Sequence, residues 1–186
     1  MRLPGAHRDA DLHMGERRLG GGDVDFLDLP DGELVSGLAE RRAVCAVIRR
    51  VRPEVVLGHD PWRRYRLHPD HRHAGWLATD AVVAAREQLF APELGPAHRP
   101  SSLLLWEAED PNHVEGAGAQ SLSTKLSALL AHASQYRSTM GIEPDDSDRR
   151  GIERLRQRLQ EQMAVHGALA RPELALGEAF RLITDL

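Results

Sequence analysis

Val55-Val56-Leu57-Gly58-His59-Asp60 leads, through Pro61-Trp62-Arg63-Arg64-Tyr65-Arg66-Leu67, into His68-Pro69-Asp70-His71, and the reading of this stretch decides the fold. Its first three residues form the continuous apolar run that a strand of a parallel sheet shows when both faces are covered. Behind the tetrad, Ala74, Leu77, Ala78, Ala81, Val82 and Ala85 fall on one face of a helix predicted from about Asp70 to Leu89. Ser101-Ser102-Leu103-Leu104-Leu105-Trp106 then supplies a second buried strand, which completes a strand–helix–strand unit. Open α/β sheets collect their ligands past the carboxyl ends of strands, and the tetrad lies just there.

Upstream, Leu34, Leu38, Cys45 and Ile48 form one stripe, with Val44, Val47 and Val51 beside it. They predict a helix that carries Arg49, Arg50 and Arg52 at its C-terminal end and stops at Pro53. Val24, Phe26 and Leu27 predict a short strand running into the turn Pro30-Asp31-Gly32. Downstream, helices are expected near 121–136, near 148–166, with Ile152, Leu155, Leu159 and Met163 in register, and near 175–184. Residues 1–22 mix Arg, Asp, His and Gly, which predicts an irregular or disordered segment ahead of a single domain over 23–186. The fold class expected is α/β, a Rossmann-like three-layer sandwich with a mostly parallel sheet.

Composition narrows the function. The net charge of −4, with no Lys/Arg block standing free of acids, gives no footprint for nucleic acid. No apolar run approaches the roughly 18 residues of a membrane span, and residues 1–31 hold no signal-peptide core, so a cytoplasmic protein is expected. Cys45, the single cysteine, sits among Val44, Ala46, Val47 and Ile48 and reads as a small core residue.

His68, Asp70 and His71 are the candidates for chemistry. Imidazole is the commonest neutral metal ligand, and a neighbouring carboxylate can hold its tautomer. The tetrad equally suits a plain helix start, with Pro69 at the first helical position and Asp70 as a cap. His59 and Asp60 either line a pocket or cap a loop. Arg63, Arg64 and Arg66 with Trp62 and Tyr65 suit a loop facing a sugar or phosphate, or a solvated one. Asp31 belongs to turn chemistry, and His132 and Gln135 read as packing or capping residues. His13, His73, His98, His113 and His166 show no ligand spacing. A phosphoesterase built on the same tetrad needs further ligands at strand ends, for which only His59 and Asp60 are available.

From about Gly22 to Leu182 the chain resembles the PIG-L/LmbE-like zinc de-N-acetylase family, which includes sugar deacetylases of the mycothiol pathway. The pieces that carry the resemblance run in the family's order. They are 26–34 (Phe-Leu-Asp-Leu-Pro-Asp-Gly-Glu-Leu), 52–57 (Arg-Pro-Glu-Val-Val-Leu), 59–63 (His-Asp-Pro-Trp-Arg) and 68–75 (His-Pro-Asp-His-Arg-His-Ala-Gly). Lys125 with Leu129, 132–135 (His-Ala-Ser-Gln) and 178–181 (Glu-Ala-Phe-Arg) follow. The resemblance implies removal of an N-acetyl group from an N-acetylglucosamine-type sugar or glycoconjugate with Zn2+ as cofactor. His71 would be a zinc ligand, His68 would act at the oxyanion or as acid, and Asp70 would orient it. Three protein ligands around zinc leave a fourth position for water. The family's second motif, Ala-His-Pro-Asp-Asp at the end of its first strand, is not in this sequence, so the family's first β-α unit is not recognisable. Ala6-His7-Arg8-Asp9-Ala10-Asp11 is the nearest echo, with acids two and four residues after the histidine where the family has one three after. A chain without that unit reads alternatively as a non-catalytic binding or interaction module. A sheet without its first strand exposes an edge, which favours association between copies.

Overall fold

The computed structural model describes residues 13–15, 17–143 and 149–186. They gather into two compact units, one of Leu27–Val114 with Ala179–Leu186, the other of Glu115–Glu178 with the described residues up to Phe26. Of the segment expected to be irregular, residues 13–15 and 17–19 are helical, and residues 1–12 and 16 lie outside the described residues. The strand expected at Val24–Leu27 is absent: residues 21–30 take no regular structure, and Phe26 and Leu27 are exposed.

In the first unit, α1 (Leu38–Val51) leads to β1 (Val55–His59), α2 (Pro69–Arg86) and β2 (Ser102–Trp106). β1 and β2 pair in parallel, Val55 opposite Ser102 through His59 opposite Trp106, with α2 as the crossover helix. Helix α2 starts where the sequence predicts. Pro69 takes the first helical position, and the Asp70 N–H donates to the ring Nδ1 of His68 at 3.2 Å. Two glycines bring α2 close to β1. A Cβ on Gly58 would meet the Ala78 Cβ at 2.7 Å, and one on Gly75 would meet the His59 carbonyl oxygen at 2.6 Å. The core between helices and sheet is Cys45, Ile48, Ala81, Val82, Ala84, Ala85, Leu103, Leu105 and Leu186.

Arg49, expected to serve its own helix end, is buried and serves the end of α2 instead. Its guanidinium donates to the carbonyls of Ala84, Ala85, Glu87, Phe90, Ala91 and Gly95 at 2.8–3.2 Å. A cation there answers both the orphan carbonyls of a helix C-terminus and the negative end of its dipole.

The remaining elements are β3 (His113–Gly116), α3 (Ala119–Leu130), α4 (Arg149–Gly167) and β4 (Gly177–Ile183). In the second unit Leu122, Met140, Ile142, Leu155, Leu159 and Met163 form a separate core, the last three on one stripe of α4. Residues 175–184 correct the expectation of a helix. Ala179, Leu182 and Ile183 have helical spacing, but burial alternates from Gly177 to Phe180 as in a strand, and β4 pairs antiparallel with β2. The sheet order is β1-β2-β4-β3. The α/β class therefore holds, while the sheet is mixed, parallel at β1–β2 and antiparallel at β2–β4, instead of mostly parallel. The strand–helix–strand rule that predicts parallel pairing applies only where a crossover helix joins two neighbouring strands. β1 is an edge strand with Val55 and Leu57 exposed on one face. Among the described residues, no helix is long and apolar enough to cross a membrane.

Candidate metal centre

The site is assembled at the carboxyl ends of β1 and β2 and the N-terminus of α2. Parallel register places His59 opposite Trp106, with Glu107 the next residue beyond. The Trp106 indole N–H donates to His59 Nδ1 at 2.9 Å. His71, one turn into α2, stacks on His59 with ring centroids 4.5 Å apart, and His68 stacks on His71 at 4.9 Å. His59, His71 and Glu107 each present a ligand atom, and these atoms all lie within 4.8 Å of one another. Two imidazoles and a carboxylate form a donor set that suits zinc.

The sequence points to His71 for this role, offers His59 as a pocket or loop-capping residue or as a strand-end ligand of a phosphoesterase, and gives no signal for Glu107. Arg66 is expected on a loop that either faces a sugar or phosphate or is solvated. Its side chain is only 6% exposed. Its Nη1 reaches Glu107 Oε2 at 2.6 Å, His59 Nδ1 at 2.9 Å and His71 Nδ1 at 3.4 Å. The donor chemistry therefore fits a metal, and a guanidinium nitrogen stands among the donors.

His68 and Asp70 are placed differently from one another. Because His68 Nδ1 accepts a backbone N–H, a neutral His68 carries its proton on Nε2. The Asp70 carboxylate accepts the backbone N–H of Gly32 at 2.6 Å and of Leu34 at 3.3 Å. His73 continues that clamp, with Nδ1 3.2 Å from the Ser36 amide nitrogen. Together they fasten residues 32–36 to the first turns of α2, a structural use for two side chains of the histidine-rich motif.

Asp60 is buried and joins the loops that leave the two strands, accepting the N–H of Trp62 at 2.9 Å and of Glu109 at 3.1 Å. It also borders a cavity of about 750 Å³ that Trp62, Arg64, Glu109, Asp110 and Arg181 help to line. Arg63 and Arg64 pair with Glu107 and Glu109. Gln135, in the other unit, accepts the hydroxyls of Ser138 and Thr139. His7, Asp9 and Asp11 lie outside the described residues.

Burial first, then the charges of His71 and Arg66, holds the His59 pKa down from its ordinary 6.5 to about 4, against the pull of Glu107. Burial opposes ionisation of Glu107, but its hydrogen bond and charge pairing with Arg66, helped by Arg63 and His59, prevail and lower its pKa. His59 is thus neutral at pH 7, as a metal ligand must be. Between about 6.5 and about 4 the unfolded chain binds the His59 proton that the folded chain refuses. Stability accordingly falls as pH drops through that window and levels off below it. The melting temperature of the wild type is expected to fall more steeply there than that of His59→Gln; equal slopes in differential scanning calorimetry would refute the assignment.

The chain is similar to several known proteins. A family model described as PIG-L, GlcNAc-PI de-N-acetylase, matches residues 4–82. A diacetylchitobiose deacetylase of Thermococcus kodakarensis is 36% identical over 124 residues, covering 63% of this chain and 45% of the relative. A 1D-myo-inositol 2-acetamido-2-deoxy-alpha-D-glucopyranoside deacetylase of Streptomyces avermitilis is 37% identical over 94 residues, 50% of this chain and 28% of the relative. The matched stretches thus span less than half the length of these curated relatives. Among solved structures, the N,N'-diacetylchitobiose deacetylase of Pyrococcus horikoshii, complexed with an inhibitor, superposes with a TM-score of 0.80 at 26% identity. It covers 96% of this chain and 64% of that one.

Proposed function

We propose that this chain, whose residues 4–82 match the PIG-L family model, is a zinc-dependent hydrolase that removes the N-acetyl group of an N-acetylglucosamine-type sugar. The observation that carries this reading is the convergence of His68 and His71, stacked at the start of α2, with His59 and Glu107 at the ends of β1 and β2. His71, with His59 and Glu107, would hold zinc, which supplies Lewis acidity toward an amide carbonyl and acidifies water. His68 presents an Nε2–H fixed by the backbone bond to its Nδ1, and donates it to the oxyanion or to the departing amine. Asp70 acts by positioning. Its grip on Gly32 and Leu34 fixes the helix start on which both histidines stand. Trp62, more than half exposed at the cavity, offers an aromatic face for a sugar ring beside the charged groups of Arg64, Glu109 and Asp110.

Acetate released from N,N'-diacetylchitobiose tests the reading. Zinc-loaded wild type is expected to release it, and His71→Ala or His68→Ala to lose at least about 100-fold of that rate, the range for removing a ligand or general acid. No release by the wild type, or an unchanged rate in His71→Ala, would sink the proposal. One observation favours the second reading, a sugar-binding module without turnover: Arg66 stands among the donors that a cation needs. Under that reading the wild type binds the disaccharide by calorimetry and releases no acetate.

A further inference from the structure

We propose that the Arg66 guanidinium and a divalent transition-metal cation are alternative occupants of the His59–His71–Glu107 site, so that entry of the cation expels Arg66 and frees the strap from Tyr65 to Leu67. This rests on the same donor set as the deacetylase reading but not on deacetylation.

The argument starts from the placement of Nη1, within 2.6–3.4 Å of one atom of each donor residue. A single positive nitrogen occupies the position from which all three donors can be reached. Its hold is incomplete. Nε and Nη2 of Arg66 are buried without a hydrogen-bond partner among the described residues. Each such group forfeits the bonds that water would give it. At His59 the Arg66 nitrogen and the Trp106 indole both approach Nδ1 at 2.9 Å, two donors for one lone pair. A cation takes one ligand atom from each of the three residues, and Arg66 returned to water recovers every bond it lacks inside.

Trp62 to Arg64 stay held by Asp60, Glu107, Glu109 and Trp76, and the part that can yield is Tyr65 to Leu67. Tyr65 has a φ of +60°, in the left-handed region that favours glycine, and is 86% exposed; Leu67 is 88% exposed. Neither residue buries an apolar side chain that would resist release. Arg72 holds the strap at its far end, donating to the carbonyls of Arg66 and Leu67, so the hinge lies close to α2. Glu107 and His71 are both solvent-accessible, which gives a cation a way in.

Zinc titration of the chelator-stripped full chain, by calorimetry, tests this with Arg66→Gln, His59→Gln, Glu107→Gln and the double variants. Arg66→Met, similar in length and uncharged, repeats the measurement if the glutamine variant does not fold by circular dichroism. The expected result is zinc binding at least about 10-fold tighter without Arg66, and loss of that gain when His59 or Glu107 is also replaced. Trypsin cleavage mapped by mass supplies an independent readout. In the wild type, saturating zinc should raise cleavage after Arg66 several-fold, with a model peptide controlling for zinc acting on the protease. Unchanged affinity in the Arg66 variants, or an Arg66–Leu67 bond equally protected with zinc bound, overturns the proposal. Zinc bound through His71 but indifferent to His59→Gln and Glu107→Gln overturns it too, while leaving the deacetylase reading intact. Competition seen without acetate release supports it while the deacetylase reading falls.

Discussion

Arg49→Met is expected to destabilise the protein by about 4 kcal/mol, at the upper end of single-residue effects. The guanidinium spends its five N–H groups on six main-chain carbonyls that gather where α2 ends and the chain turns through residues 87–95. Hydrogen bonds to a charged donor contribute more than neutral ones, and carbonyls left dry and unmatched cost about 1–3 kcal/mol each before the structure relaxes. Methionine fills the space and removes no carbonyl. Much of a typical stability of about 5–15 kcal/mol would go. Arg49→Lys is the informative control. An ammonium keeps the charge near the helix end but has three donors on one nitrogen, so it should recover only part of the loss. Urea unfolding measures both, and a methionine variant within 1 kcal/mol of wild type would refute the role assigned to Arg49.

Gly75→Ala is expected to cost about 2–3 kcal/mol and, under the proposed zinc reading, to weaken zinc binding as well, because it forces α2 away from the end of β1. The added carbon would stand 2.6 Å from the His59 carbonyl oxygen and 2.9 Å from the Pro61 nitrogen, both backbone atoms that cannot swing aside. The residue displaced is His59, so the stability loss and the change at the site have one origin. The same substitution at Gly118, where a Cβ meets nothing within 4 Å, should change the unfolding free energy by less than about 1 kcal/mol. Calorimetric melting paired with zinc titration separates these cases. A Gly75→Ala protein of wild-type stability would mean that the helix and strand are not in the contact described.

Legibility in the sequence followed the reach of the interactions involved. β1, α2 and β2 were readable because each is specified by its own pattern, continuous apolar residues for the strands and one small-residue face for the helix. β4 was not, since its strand character comes from pairing with β2 while its apolar spacing also satisfies a helix. His71 stood out through the tetrad. Glu107 carries no local motif, and its part in the site follows from register, which puts the residue after Trp106 beside the end of β1. The rule that ligands gather past strand ends, applied to β2 as it was to β1, points to it. Nothing local distinguishes Arg66 from Arg63 or Arg64; which of the three turns inward is decided by the fold. Asp70 was read through its family role, whereas its contacts are to the amides of residues 32 and 34, a non-local bond that no pattern announces.

The pairing of His59 with Trp106 has a consequence for how the site moves. His59 is anchored by the last pair of the parallel ladder and Glu107 follows one residue beyond it, while His71 arrives on a helix start and Arg66 on an exposed strap. The site thus has a stiff wall and a soft wall. Thermal breathing should part them from one side only, like a door on a fixed jamb. Amide exchange should then be slow at the alternate amides of 56–59 that face β2 and along 103–106, and fast along 65–68, and whatever enters the site should approach across the strap.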